Sequence, residues 1–216
     1  MGKVVDILKK IGAVITDDHF VYTSGKHGSV YINKDALYPH TAETSEVCRT
    51  MAEMFKDKDI DVVVAPAVGG TILSQWVAYH LSQLKNKEIL SAYTEKDAGT
   101  TASAAESNQL FRRGYDLIVK GKKVLVLEDL TTTGISVKQV VDCVRAAGGE
   151  VVSVCVMVNR DPKNVNEASV GAPFVAADVL EAQAFDEVTC PWCKANKPIN
   201  TTVGHGKQYL EEKGKQ

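Results

Sequence analysis

Three stretches of this chain, IDVVVAP (60–66), KKVLVLEDL (122–130) and EVVSVCVMV (150–158), contain runs of consecutive apolar residues in place of an alternation. A strand with one wet face alternates with a period of two. A run without alternation has to be covered on both faces, which for strands means the interior of a parallel sheet with helices above and below. The intervening segments supply those helices. TILSQWVAYHLSQL (71–84) puts Leu73, Trp76, Val77, His80 and Leu84 at helical spacing, and ISVKQVVDCVRAAGG (135–149) does the same with Val137, Val140, Val141 and Val144 before stopping at Gly148. VVDILKKI (4–11), through Val4, Val5, Leu8 and Ile11, and SEVCRTMAEMF (45–55), through Val47, Met51, Met54 and Phe55, add two more, and EILSAYTEK (88–96) adds a short strand. This alternation predicts an α/β fold built on a parallel sheet with helices on both faces. Ligands of such sheets bind at the carboxyl ends of the strands, so AVGG, YTEK, EDLTTTG and NRD are expected along one rim.

With 216 residues, 44% hydrophobic and 24% charged, the chain can fill one good core but not two large ones, so a single domain is expected. A net charge of −2 gives no general attraction to nucleic acid or anionic lipid, and neither is expected as a partner. The first residues, MGKVVDILKKIGAVI, lack a signal-peptide apolar core, and Gly2 is not followed by the serine or threonine of a myristoylation site. No apolar run approaches the roughly 18 residues of a membrane span, and the expected location is cytoplasmic. The five cysteines, Cys48, Cys143, Cys155, Cys190 and Cys193, are odd in number and scattered, which fits reduced thiols better than a disulfide framework.

Three segments stand outside the alternation. FVYTSGKHGSVYINKDALYPH (20–40) mixes aromatics with turn residues and predicts short, irregular strands. DAGTTASAAESNQ (97–109) is small and polar, cannot build a core face, and is expected to be a mobile loop. The tail from Cys190 is polar and turn-rich. Its Cys190-Pro-Trp-Cys193 is half of a zinc site or a redox-type pair; His205 offers a third ligand and no fourth stands out, so the reading is a tight turn with packed thiols and no metal ligand is assigned.

VLVLEDLTTTGIS (124–136) carries the chemistry. A phosphate at a strand end is held by backbone N–H groups of a tight turn that leads into a helix N-terminus. Thr131, Thr132, Thr133 and Ser136 add hydroxyl donors, and Gly134 permits close approach. Glu128 and Asp129 would repel a bare phosphate but can accept hydrogen bonds from a sugar diol. These residue types ask for a ribose 5-phosphate; the alternative is that the two acids cap the next helix.

VLVLEDLTTTG resembles the phosphoribosyl pyrophosphate motif of the type I phosphoribosyltransferases. FVYTSGKHGSVYINKDALYPH, APAVGG, FRRGYDLIVKGKKVLVLEDLTTTGIS, GGEVVSVCVMVNR and CPWCKANKPINTTVGHGK together resemble the orotate phosphoribosyltransferase branch along nearly the whole chain, in order. The resemblance implies a single phosphoribosyltransferase domain over 1–216, with a core at about 41–174, a flexible loop at about 96–110, and a small hood from the N-terminal and C-terminal segments at about 1–40 and 175–210. It implies transfer of ribose 5-phosphate from phosphoribosyl pyrophosphate to orotate, by displacement at the anomeric carbon through an oxocarbenium-like transition state.

The resemblance also carries residue roles. Glu128 and Asp129 would contact the ribose hydroxyls, with Asp129 near the reacting carbon, and Leu130, Thr131, Thr132, Thr133, Gly134, Ile135 and Ser136 would hold the 5-phosphate, Thr132 also reaching the base. Val68, Gly69 and Gly70 would receive pyrophosphate with Lys96, although Gly-Gly at a strand end also serves packing. Lys26 and Arg160 would recognise orotate, whose carboxylate suits an arginine fork, with Tyr31, Ile32 and Asn33 covering the base; the alternatives are a solvated Lys26 and an Arg160 paired with Asp161. Many relatives carry a basic cluster in the loop, whereas here Lys96 is the only basic residue before Arg112, which makes Lys96 the loop's catalytic candidate. Arg112 and Arg113 either assist or are strand-edge charges. Mg²⁺ is expected, bound mainly through substrate oxygens, together with a homodimer whose active sites are shared. The alternatives are a phosphoribosyltransferase for a purine or other base, and a regulator that senses phosphoribosyl pyrophosphate.

Overall fold

The computed structural model describes residues 2–22, 24–97 and 108–214. In chain order its elements are α1 (Lys3–Lys10), β1 (Val14–Ile15), β2 (Phe20–Val21), β3 (His27–Gly28), β4 (Tyr31–Ile32), a 3-10 turn (Lys34–Ala36), α2 (Thr41–Glu53), β5 (Val62–Pro66), α3 (Gly69–Lys85) and β6 (Leu90–Lys96). There follow β7 (Gln109–Leu110), α4 (Tyr115–Val119), β8 (Lys123–Thr131), α5 (Ile135–Ala146), β9 (Glu150–Asn159), α6 (Glu167–Val170), β10 (Phe174–Val179), α7 (Pro191–Lys194) and α8 (Gly206–Lys213).

The main sheet runs in the order β10-β9-β8-β5-β6-β7. Its first five strands are parallel neighbours, and β7 pairs antiparallel with β6. The unbroken apolar runs are divided by the pleat between two cores. Val63, Ala65, Leu125, Leu127, Cys155 and Met157 face α1, α2 and α3, together with Val47, Met51, Leu73 and Val77. Their neighbours Val62, Val64, Val124, Val126, Val154 and Val156 face the other way, onto Val137, Val140, Val141 and Val144 of α5. Each valine, leucine or methionine among them contributes about 1.5–3 kcal/mol through burial, and a polar residue at any of these strand positions would meet apolar neighbours on one face or the other.

The stripe of α3 differs from the one expected. Gly70, Leu73, Ser74, Val77, Ala78 and Leu81 are buried, whereas Leu84 is 47% exposed and Trp76 and His80 are half-buried. Small residues occupy the sheet-facing line because the helix lies close to the strands: a Cβ on Gly70 would come within 2.8 Å of Ala65 Cβ. The bulky His80 is left to the flank, where its Nε2 is 3.0 Å from Ser45 Oγ of α2. Met54, just past the end of α2, is exposed, while Phe55 is buried. Ile11 is half-buried at the end of α1, whose buried side includes Ile7.

The two ends of the chain run together beside the carboxyl rim. The Asp178 carboxylate accepts from the Gly2 and Val5 N–H groups at the start of α1, at 3.2 and 2.8 Å. The tail exchanges backbone hydrogen bonds with the β2–β3 hairpin: His27 and Phe185 donate to each other, Asn200 donates to His19, and His205 donates to Val21. Of the loop expected at 96–110, residues 98–107 lie outside the described residues; its base is closed by the pairs Glu95–Leu110 and Lys96–Gln109. Among the described residues no helix is long and apolar enough to cross a membrane.

Candidate active site

A cleft of about 800 Å³ opens where β5, β6, β8 and β9 end, and all four predicted strand exits contribute to it: Gly69 and Gly70, Lys96, Glu128 to Leu130 with Thr132, Thr133 and Ser136, and Arg160. The lining is extended by Tyr22, Lys26 and the stretch Tyr31 to Asp35, together with Glu181 to Ala184 and His205.

The acid pair lies near the carboxyl end of β8, and Glu128 and Asp129 are only 7% and 3% exposed. Glu128 Oε1 accepts from the Asp129 N–H at 3.1 Å, and the Ser136 side chain gives it a further hydrogen bond. Burial, with Asp129's charge beside it, raises the Glu128 carboxyl to about 8. Asp129 Oδ1 accepts from the Leu130 N–H at 2.7 Å. Its Oδ2 accepts from Lys34 Nζ at 2.6 Å and Tyr38 OH at 3.1 Å. Burial works against the Lys34 charge, yet the Asp129 carboxylate holds its ammonium above the ordinary lysine value. The Tyr38 phenol is raised, first by burial and then by Asp129. Gly69 leaves room for this cluster, since a Cβ there would lie 2.4 Å from Tyr38 OH and 2.6 Å from Asp129 Oδ2. Neither acid caps α5: its N-cap is Gly134, which has no side chain to offer and whose φ of +74° favours glycine.

Within the hydroxyl turn the four side chains divide. Thr132, Thr133 and Ser136 line the cleft. Thr131 is the last residue of β8, and its hydroxyl turns inward to Asn159 Oδ1 at 3.1 Å. Asn159 in turn accepts from the Asp161 N–H at 3.0 Å and donates to Val165 O at 3.0 Å, so it ties the β8 and β9 exits together. Ile135 opens α5 with a partly exposed side chain. At the β5 exit Val68 is 83% exposed, the Ala67–Val68 peptide is cis, and Gly69 and Gly70 begin α3.

Arg160 does not pair with Asp161, whose carboxylate accepts from Asn164. Its guanidinium lies over the Tyr22 ring, with Cζ 4.7 Å from the ring centre, and its buried Nε has no hydrogen-bond partner among the described residues. Tyr22 is held by donating to Val30 O at 2.7 Å. Lys26 lines the cleft from the hairpin side and lies 3.9 Å from the exposed Asp186. Tyr31 packs on Phe20 at 5.4 Å, and Ile32 is buried. Lys96, exposed at the end of β6, borders both this cleft and a smaller hollow containing Val68, Tyr93 and Arg113. Arg113 is engaged by Glu95 at 3.1 Å and by Tyr93 OH at 3.1 Å, and Arg112 lies 3.9 Å from Glu95, as strand-edge charges do.

Sequence reasoning missed Lys34, Tyr38, Tyr22 and Asn159. Lys34 and Tyr38 lie more than 90 residues from Asp129 in the chain, and no spacing rule reaches that far. His205 lines the cleft and is not part of the group around the Cys190–Cys193 pair, which is instead joined by His19 and His27.

The model of the phosphoribosyl transferase domain matches residues 33–171, from the stretch carrying Lys34 to the end of α6. Among curated proteins, the orotate phosphoribosyltransferase of Caldanaerobacter subterraneus subsp. tengcongensis is 34% identical over 91% of this chain and 94% of its own length. That of Thermotoga maritima is 33% identical over 93% and 97%. Among solved structures, the orotate phosphoribosyltransferase of Aeropyrum pernix superposes with a TM-score of 0.63 at 25% identity, covering 82% of this chain and 93% of its own.

Proposed function

This chain belongs to the phosphoribosyltransferase family, and we propose that it transfers ribose 5-phosphate from phosphoribosyl pyrophosphate to orotate, giving orotidine 5′-phosphate and pyrophosphate in pyrimidine nucleotide biosynthesis. The observation that carries this reading is the pairing, in one cleft, of a buried acid pair that runs into a hydroxyl-lined helix N-terminus with an arginine whose buried Nε has no partner among the described residues.

Glu128 and Asp129 accept hydrogen bonds from the ribose hydroxyls. The N–H groups of the turn from Leu130 to Ser136, with the hydroxyls of Thr132, Thr133 and Ser136, hold the 5-phosphate at the α5 N-terminus. Thr131 and Gly134 shape that turn from within, and Ile135 contributes its backbone. Val68, Gly69 and Gly70 present the start of α3 to pyrophosphate, and Lys96 offsets its charge. Displacement at the anomeric carbon develops positive charge, which Asp129 stabilises from a water-poor position. Lys34 and Tyr38 hold that carboxylate in place. Arg160 takes the carboxylate of orotate in a two-point contact, Lys26 adds charge, and Tyr31, Ile32 and Thr132 surround the ring.

The cleft's own donor set suits Mg²⁺ brought in by the substrate. Of the acids that line it, Asp129 is already paired with Lys34, and none belongs to the one cluster of three or more metal-type side chains among the described residues, which lies outside the cleft. A hard cation carried in by the substrate's phosphate oxygens would fit such a site and would neutralise the leaving pyrophosphate. The same reading makes the chain one domain, hooded by its two ends, and a homodimer in which Lys96 reaches the partner's cleft; the exposed position of Lys96 at the open rim supports this.

The test is turnover of orotate, adenine, guanine and hypoxanthine with phosphoribosyl pyrophosphate. Orotate alone should be consumed. Preferential use of a purine would replace the orotate assignment, and binding of phosphoribosyl pyrophosphate without turnover of any base would favour a sensor.

A further inference from the structure

We propose that His19, His27, Cys190 and Cys193 form a structural zinc site that staples the C-terminal tail to the β2–β3 hairpin. The four side chains come from two regions more than 160 residues apart, yet their ligand atoms all lie within 4.8 Å of one another. Tetrahedral zinc with bonds of about 2.0–2.1 Å to nitrogen and about 2.3 Å to sulfur requires sulfur–nitrogen separations of roughly 3.6 Å and nitrogen–nitrogen separations of roughly 3.3 Å. The observed sulfur–nitrogen separations are 3.3 Å (Cys193 to His27 Nδ1), 3.6 Å (Cys193 to His19 Nε2) and 3.7 Å (Cys190 to His19 Nε2). His19 Nε2 and His27 Nδ1 are 2.8 Å apart, a hydrogen-bond distance that a small ring rotation opens to the tetrahedral edge.

The surroundings suit a closed site. Both thiols are free; Cys190 is buried, and Pro191 starts the short α7 that brings Cys193 back beside it. His19 Nδ1 is 2.8 Å from Lys197 O. A ring N–H donated to that carbonyl fixes the tautomer and aims the Nε2 lone pair at the cluster, as in most histidines that bind metal. His27 is fully buried with the Tyr209 ring edge-on at 5.2 Å. Two thiols and two imidazoles supply all four positions of a tetrahedron, a set suited to zinc in a structural role and ill-suited to hard oxygen-seeking cations.

The site also has a place in the cleft's architecture. The hairpin it anchors leads directly into Tyr22, the platform under Arg160, and into Lys26. Losing the staple should loosen the base side of the cleft while leaving the turn from Glu128 to Ser136 intact.

The decisive measurement is the metal content of the untagged protein purified without chelator, which should be about one zinc per chain. Cobalt substitution should produce the thiolate-to-metal charge-transfer and tetrahedral ligand-field bands of a mixed sulfur–nitrogen site. Cys193→Ser and His19→Ala should each lose the metal, whereas Cys143→Ser, outside the cluster, should keep it. Zinc retained by both cluster variants, or wild-type protein that takes up neither zinc nor cobalt, would overturn the proposal. Should the variants fail to fold, the wild-type cobalt spectrum still decides. These readouts involve no turnover, so they stand or fall separately from the assigned reaction.

Discussion

Glu128 is held where its charge is costly, and that cost can be measured. Burial and the neighbouring Asp129 raise its carboxyl from 4.5 to about 8, and each pKa unit corresponds to about 1.4 kcal/mol. A group whose folded pKa lies above its unfolded one contributes stability that is fully present below the unfolded value and is lost as pH rises through the folded value. Wild-type protein should therefore lose stability, by on the order of a few kcal/mol, as the pH rises from about 4.5 through about 8. Glu128→Gln removes the titration. Its amide oxygen can keep the bond from the Asp129 N–H, but its NH₂ brings two buried donors where the protonated carboxyl had one, and Ser136 can accept from only part of them, which costs about 1–2 kcal/mol at every pH. The variant should be slightly less stable than wild type near pH 5 and roughly 3 kcal/mol more stable at pH 9, and it should lose activity throughout. Urea unfolding of both proteins at intervals from pH 5 to pH 9 gives the difference directly. A stability difference that stays flat with pH, or one that favours wild type at pH 9, would refute this account of the acid pair.

Arg160→Ala should lower orotate kcat/KM by roughly 10- to 150-fold, the value of a charged hydrogen bond of about 1.5–3 kcal/mol, while calorimetric affinity for phosphoribosyl pyrophosphate barely moves. Equal losses for both substrates would make Arg160 a general structural residue. In verified mixed dimers of an Asp129→Asn chain with a Lys96→Ala chain, activity should partly return, because one cleft regains both groups; inactive mixed dimers would count against shared sites. Turnover should collapse in buffer freed of divalent cations and return with Mg²⁺, and full rates without it would contradict a substrate-borne metal.

The sheet was legible because its physics is local and repetitive. Runs such as VLVL and VCVMV are unbroken since alternate residues enter two different cores, and the parallel order then places four strand exits on one rim without further information. The acid pair and the hydroxyl turn were legible because they lie within nine residues of one another. Thr131 was grouped with the phosphate turn, but β8 continues through it and its side chain falls on the inner side, toward Asn159; a β-branched residue suits either a strand end or a turn. Lys34, Tyr38, His19 and His27 were not legible in their actual roles, because the contacts that define them cross the chain. The strongest example is the tail cysteines: His205, 12 residues beyond Cys193, was the nearest candidate ligand, whereas the hairpin supplies two histidines from the far end of the sequence.

The central claim is that this cleft reads the carboxylate of its base, and uracil, which is orotate without that group, tests it most directly. With purified protein, saturating phosphoribosyl pyrophosphate and Mg²⁺, kcat/KM for orotate should exceed that for uracil by on the order of 100-fold or more, because uracil leaves the half-buried Arg160, with its buried Nε, without the anion its geometry awaits. Values for the two bases within about threefold of each other, a gap of well under 1 kcal/mol, would contradict the claim and remove Arg160 from base recognition.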